Sequence, residues 1–382
     1  MAQSVLISGG GIVGSFLGLE LAARKIPFKI IEKKHFETSE ADHIRTLTLN
    51  LSACERLKQL EVETSSALIQ TMNVFDGSGS GQLSFNSNDA NIDYLAKVFS
   101  FNDLRDALIK KLEGSIMFGE EINSFQVIES GIQATLSNSS YIDTNLLVIA
   151  EGRNSTLAKS IGSKNFSKDY QQIAQTFIVE APKIKAEEAI QIFYEKEIFA
   201  LMPYKNNSIE NQFSVVWSMP RELATDLTLD NISEYLQKFE KKLSCQIKVT
   251  SDLLSFPLSA HHLSDYCDQG ACVIADAAHS IHPLAGQGIN LGISDAIILA
   301  EEIERAVDED QNIGELAFLK KYELRRKTFN SAMIKGVDLI YNIFQEENPY
   351  FRLFRNSGLR AVDKFSFLKK NFILHASGIH KI

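Results

Sequence analysis

Long apolar runs are missing from this chain: no stretch of its 382 residues approaches the ~20 consecutive apolar residues that a membrane span requires. Cysteine is scarce. The four present, Cys54, Cys245, Cys267 and Cys272, form no CxxC pair and lie in or beside apolar segments, which points to reduced, buried thiols and a cytosolic compartment. Positive charge is also short. With 39 Lys and Arg against 48 Asp and Glu the net charge is −9, which argues against a general nucleic-acid binder, since such proteins displace counterions with basic surface. No serine or cysteine stands in a GxSxG elbow, so a hydrolase is not expected. There is no internal repeat or long low-complexity tract, and Val5-Leu6-Ile7 runs straight into glycines, unlike a signal peptide. What remains, 45% hydrophobic and 23% charged, is the composition of a soluble globular protein with room for a large core or two subdomains.

The first motif fills the N-terminus. "SVLISGGGIVGSFLGLELAARKIPFKIIEKK" reads as a strand over 5–8, a glycine turn, a helix over about 14–24 and a second strand over 28–32, which is a βαβ unit. Gly9, Gly11 and Gly14 occupy the three places of GxGxxG. The first permits the tight turn, the second lets a pyrophosphate approach the backbone, and the third lets helix and strand pack closely. The helix N-terminus then faces the phosphates. Glu32, eighteen residues after Gly14, is placed to accept hydrogen bonds from a ribose diol, and its charge would repel a 2′-phosphate, so FAD or NAD fits better than NADP. A second glycine cluster, "GSGSG" at 77–81, has no strand–helix frame and reads as a flexible hairpin.

Two further apolar strands end in acids: "NLLVIAEG" in Glu151 and "GACVIAD" in Asp276. In a doubly wound sheet, ligands sit outside the carboxyl ends of the strands, so Glu32, Glu151 and Asp276 would gather along one edge and suit a long ligand with several hydroxyls. After Asp276 come Pro283 and Gly286-Gln287-Gly288. A helix follows, with Ile289, Ile293, Ala296, Ile297, Ala300 and Ile303 at helical spacing. His279 and His282 could ligate a metal, but no acid or thiol set completes a site, so packing and hydrogen-bonding roles are expected and no metal. His261-His262 reads as solvent-facing or structural.

On these residues the chain resembles the FAD-dependent aromatic hydroxylases (single-component flavin monooxygenases), and within them the polyprenyl-phenol hydroxylases of ubiquinone biosynthesis. "DAAHSIHPLAGQGINLG" is similar to that branch's second FAD motif, and 348–378 to its C-terminal tail. The resemblance implies an α/β fold: a doubly wound, Rossmann-like FAD-binding domain (1–75, 100–172, 262–345), an inserted β-sheet substrate domain (76–99, 173–261) and a C-terminal helical tail (346–382). It implies that Gly9, Gly11, Gly14 and Glu32 hold the ADP end of a non-covalent FAD. Asp276 would hydrogen-bond the ribityl chain. Gly286, Gln287 and Gly288, with Asn290 and Leu291 behind them, would line the pyrimidine edge of the flavin. Arg45 would stand near the flavin and Pro283 on the ring face where oxygen is activated. NADH or NADPH would supply electrons and O₂ the oxygen, through a flavin C4a-hydroperoxide that hydroxylates a lipophilic phenol.

Three positions depart from the family pattern. Glu151-Gly152 replaces Asp-Gly and is followed by Ala158 where an arginine is usual. Phe101 stands where relatives carry Arg or Asn, so one FAD contact is either missing or supplied by Asn102. Ala275 replaces the Gly before Asp276, a small change provided the backbone there is at φ < 0. Alternatives therefore stay open: a hydroxylase of another aromatic or antibiotic substrate, or a flavin-binding assembly subunit without turnover. Arg45 could also be a simple surface arginine. Phe193, Tyr194, Phe199, Met202, Phe213 and Trp217 could line an apolar pocket, or merely pack the core. Residues 350–382 carry seven basic residues (Arg352, Arg355, Arg360, Lys364, Lys369, Lys370, Lys381) against Asp363, a net of +6, interleaved with aromatics. Such a mixture suits peripheral contact with an anionic membrane or a quinone-biosynthesis complex from the cytoplasmic side, the competing reading being a helix that caps the core.

Overall fold

In the computed structural model, residues 3–35, 44–205, 211–346 and 348–379 are described. A six-stranded sheet runs in the order Cys267–Asp268, Ala271–Val273, Leu146–Ile149, Val5–Ser8, Phe28–Glu32, Ile116–Phe118. All its pairings are parallel except the edge hairpin of the first two. The strands are apolar without alternation because a parallel sheet is covered on both faces, and Val5–Ile7 and Leu146–Ile149 are fully buried. Helices Ile12–Ala23, Gln287–Asp308 and Phe101–Lys111 pack together against it, and a three-stranded meander adds Ile132, Ala134 and Leu136 to the same core. The N-terminal helix begins two residues earlier than its glycine pattern suggests, with Gly11 as N-cap.

The second sheet is larger and mostly antiparallel, in the order His279–Ser280, Leu254–Leu263, Asn165–Glu180, Gln212–Pro220, Glu197–Pro203, Glu188–Tyr194, Thr71–Asp76, Gln82–Asn86. Side chains alternate across its strands. Phe177, Phe199, Leu201, Phe213, Val215, Trp217 and Met219 all point to one face, where they pack under the helix Ile232–Leu243. Phe239 of that helix stacks on Phe199 at 4.3 Å and meets Trp217 edge-on at 5.2 Å. Phe199, Phe213 and Trp217 are therefore core, not pocket lining. Phe193 stacks on Phe344 at 3.8 Å, Tyr194 meets Phe239 edge-on, and Met202 lies in a cluster with Ile69 and Val98.

The opposite face of this sheet meets the 281–291 segment: Phe193 and Ile198 pack with Ile281, Leu284 and Leu291, and Gln172 reaches His282. Helix Leu316–Gln345 spans both sheets, and helices Pro349–Lys364 and Ser366–Ala376 follow. The "GSGSG" turn does join a hairpin, but it is covered. A Cβ at Gly79 or Gly81 would come within 2.5 or 2.2 Å of the Asn356 side chain, so the glycines make room for the Pro349–Lys364 helix. Beneath them Arg355 grips the fully buried Asp76 at 2.6 Å. Among the described residues no helix is long and apolar enough to cross a membrane, and the four cysteines are free and buried.

Candidate functional site

The glycine turn combines tight packing with open space. Gly9 adopts φ +106°, and a Cβ on Gly14 would lie 1.9 Å from the Gly9 carbonyl oxygen, so both glycines are fixed by the protein's own packing. Gly11 is different. A Cβ there would meet nothing within 4 Å, and the helix it caps has no side-chain cap on its first N–H groups. Open space beside unpaired N–H groups at a helix start is where an anion fits.

Glu32, at the end of its strand, accepts the Gly10 N–H (2.7 Å) and the Lys34 N–H (2.9 Å). Each carboxylate oxygen keeps a lone pair for a hydroxyl. Glu151 accepts Ser8 Oγ–H (2.5 Å) on one oxygen and Ser155 Oγ–H (2.6 Å) on the other. Ser155 Oγ also accepts the N–H of the buried Ala158. The third acid of the edge, Asp276, is exposed and has no hydrogen bond among the described residues.

The residue before Asp276 departs from expectation. Ala275 sits at φ +55°, the left-handed region, so the change from glycine is not the small one that a negative φ would have made. Its Cβ packs toward Gly292, where a Cβ would come within 2.8 Å of Ala275 and 3.0 Å of Val13. Here the glycine-turn helix, the Asp276 turn and the Gln287–Asp308 helix converge.

That last helix starts at Gly286, which is at φ +64° and so close to Thr48 that a Cβ would lie 2.9 Å from the threonine Cβ. Gly286, Gln287 and Gly288 are half-buried, and only the distant Ile281 comes near a Cβ placed on Gly288. Pro283 is half-buried beside them. Asn290 and Leu291 have other work. The Asn290 amide donates to Thr48 O (2.9 Å) and Gly286 O (3.1 Å) and accepts the Asn50 N–H (2.9 Å), which ties the helix start to the Thr46–Asn50 strand. Leu291 is buried in the cluster against the large sheet. Both side chains fix the backbone at the helix start.

Arg45 is half-buried, its guanidinium 4.1 Å from the Phe101 ring and 5.7 Å from the Phe256 ring, and its carbonyl accepts the Phe101 N–H. Cation–π contacts of this kind are worth ~0.5–1 kcal/mol at exposed sites, which removes Arg45 from the class of solvated surface arginines. The departure at Phe101 thereby gains a purpose as the platform on which Arg45 lies. Neighbouring Asn102 is buried with both amide atoms unpartnered among the described residues, a cost of ~1–3 kcal/mol that a ligand group at the start of the Phe101–Lys111 helix would relieve.

The histidines are structural. His279 Nε2 meets Asp295 Oδ2 at 2.6 Å, His282 Nε2 meets Gln172 Oε1 at 3.1 Å, His261 Nδ1 meets Ser280 Oγ at 2.8 Å, and His262 Nε2 meets Tyr266 Oη at 2.7 Å. Burial pushes His262 and His282 down to about 4. Among the described residues no group of His, Cys, Asp and Glu could hold a metal. A groove of about 980 Å³ beside Gln237, Glu240, Lys248 and Asp252 borders the helix-covered face of the large sheet, away from this edge.

An open parallel sheet with a glycine-turn helix and acids at its carboxyl edge defines a dinucleotide-binding fold, and a second glycine-bracketed helix start beside the large sheet extends the cradle. The chain belongs to the FAD binding domain family, whose model matches residues 2–337. It is 26% identical to ubiquinone hydroxylase UbiL of Rhodospirillum rubrum, over 99% of this chain and 90% of that one. It is 25% identical to 3-demethoxyubiquinol 3-hydroxylase of Escherichia coli, over 98% of each. In fold it is similar to a single-substitution variant of Klebsiella pneumoniae HpxO complexed with FAD, with a TM-score of 0.79, 16% identity and coverage of 99% of this chain and 98% of that one.

Sequence reasoning missed the buried cluster behind the Asp276 turn. Its signal was available: Asp295 and Glu302, seven residues apart and so on one face of the Gln287–Asp308 helix, are acids at positions where the helical pattern is buried, and Asp295 is fully buried.

Proposed function

We propose that the protein hydroxylates the aromatic ring of a polyprenylated phenol in ubiquinone biosynthesis, with electrons from NADH or NADPH and oxygen from O₂. The coarser statement, an FAD-dependent monooxygenase of the aromatic hydroxylase type, rests on family membership and on the quinone-pathway relatives. One observation carries the finer reading: similarity to those two hydroxylases runs over 98–99% of the chain, so it takes in the C-terminal helices as well as the cradle.

In this reading the part built on the six-stranded sheet is the FAD-binding domain and the large sheet is the substrate domain. The flavin, once bound, supplies the oxygen-activating chemistry. The chain supplies the rest. The Gly9–Gly14 turn and Glu32 hold the ADP end, Asp276 the ribityl hydroxyls, and the Gly286–Gly288 backbone the pyrimidine edge. There the start of the Gln287–Asp308 helix favours negative charge by ~0.3–1 kcal/mol, up to ~2 when partly buried. Pro283 and the sheet face opposite Phe199 and Trp217 close the reacting region against water. We also propose that the C-terminal helices bring the protein to a membrane surface, where a polyprenyl substrate resides.

Purified protein tests this directly. Phenol-stimulated NAD(P)H oxidation, with ¹⁸O from O₂ in the product, is the expected result. An assembly subunit without turnover would bind FAD and show neither, and a hydroxylase of soluble aromatics would reject the prenylated ring. Arg45 gives a second measurement. Arg45→Ala should divert at least several-fold more of the consumed NAD(P)H into hydrogen peroxide. Unchanged coupling would remove Arg45 from the site.

A further inference from the structure

We infer that Asp295 is the positioning residue of the FAD cradle: its buried carboxylate holds the Ala275 turn in its left-handed conformation and so sets where Asp276 points. The need arises from the sequence. An alanine at φ +55° has a Cβ crowded against the backbone, and such a conformation persists only where its surroundings over-determine it.

The surroundings do so through one carboxylate. Asp295 Oδ2 accepts the Ala275 N–H (3.0 Å) and His279 Nε2–H (2.6 Å), gripping the turn on both sides of Asp276. Oδ1 accepts Arg326 Nε–H (2.6 Å) and Asn330 Nδ2–H (3.2 Å). Arg326 donates onward to the Leu291 carbonyl (3.2 Å), in the first turns of the helix that starts at Gly286. The two halves of the cradle, the Asp276 turn and the Gly286–Gly288 helix start, are thus fastened to one buried group and, through Arg326 and Asn330, to the Leu316–Gln345 helix.

Burial alone would raise the Asp295 carboxyl, but His279 and Arg326 beside it outweigh burial and hold it below the usual carboxylate range. It therefore stays an acceptor for all four donors. Asp276, one residue beyond the held amide, is exposed and makes no hydrogen bond among the described residues. A carboxylate that touches no ligand thus fixes one that would.

The inference rests on FAD being the ligand, and the test separates the two. FAD affinity is read by quenching of flavin fluorescence, and stability by thermal unfolding of the apoprotein. Asp295→Asn keeps the shape but loses the charge and half the acceptor capacity, and should weaken FAD binding at least tenfold. Ala275→Gly alone should change affinity less than threefold. Added to Asp295→Asn it should restore at least half of the loss on a logarithmic scale, because glycine adopts the turn without being held. A purely structural role predicts no such rescue. If Asp295→Asn leaves Arg326 unpaired and fails to fold, the Asp295→Asn, Arg326→Gln pair removes both charges and must show the same loss and the same rescue. Wild-type affinity in either variant, or a loss that Ala275→Gly does not relieve, overturns the inference while the FAD assignment stands. A wild-type protein that binds no FAD ends both.

Discussion

Gly11→Val is expected to give a folded protein that no longer binds flavin. At Gly11 a new side chain meets no protein atom within 4 Å, and the backbone, at φ −67° and ψ −175°, suits any residue. Valine therefore costs the fold little beyond a poorer N-cap, roughly 1 kcal/mol or less. Its methyl groups nevertheless fill the space beside the first N–H groups of the helix, where a pyrophosphate would lie. A loss of more than about a hundredfold in FAD affinity, or ~2.8 kcal/mol, should accompany a melting temperature within a few degrees of the wild-type apoprotein. Gly14→Val makes the contrast, since its Cβ would overlap the Gly9 carbonyl and the helix could not dock. Absorbance near 450 nm after purification reads the result. A yellow Gly11→Val holoprotein would remove the glycine turn from the cofactor site.

The contrast between Gly11 and Gly14 also shows what could be read in advance. The βαβ unit was legible because its determinants are local: three glycines at fixed spacing, apolar strands of four or five residues, and an acid at the end of the second strand. Phe193, Tyr194, Phe199, Met202, Phe213 and Trp217 were equally visible as large apolar side chains, but not which of them faced the interior. That depended on the Ile232–Leu243 helix, whose Phe239 claims Phe199 and Trp217 from across the sequence. Long-range pairs were invisible for the same reason. Arg355 and Asp76 are 279 positions apart, and Glu151 is bonded by Ser8, 143 positions away. The conformation of Ala275 could not be read either, because alanine carries no preference for φ +55° and adopts it under constraint from Asp295.

The same long-range pairing changes what the basic tail is expected to do, and the second large effect is expected there. Of its seven basic residues, Arg355 is buried against Asp76, and Lys369 reaches Asp89 (3.3 Å) and Asp363 (3.5 Å) with only 14% of its side chain exposed. Lys381 lies outside the described residues. Electrostatic attraction to an anionic surface, worth ~1 kcal/mol per available basic residue, is therefore smaller than the net of +6 suggests. The apolar side moves the other way. A helix that merely capped the core would turn its aromatics inward, yet Phe365 (61%), Phe367 (73%) and Phe372 (56%) are exposed beside the exposed Lys370, while Ile373 is buried. Aromatic and aliphatic side chains with a nearby lysine suit the boundary between headgroups and acyl chains. Partition onto vesicles of phosphatidylethanolamine and phosphatidylglycerol should thus survive moderate salt and depend on phenylalanine. Half-burying two such side chains contributes ~1 kcal/mol each, so Phe365→Ser with Phe367→Ser should lower partition about thirtyfold with stability within ~0.5 kcal/mol of wild type. Truncation at 349 is the poorer variant, because removing Arg355 leaves Asp76 buried and unpaired at a cost of ~3–5 kcal/mol. If the double variant partitions like the wild type, or if its only change is the loss of a wild-type dimer seen without lipid, the exposed phenylalanines serve something other than a membrane.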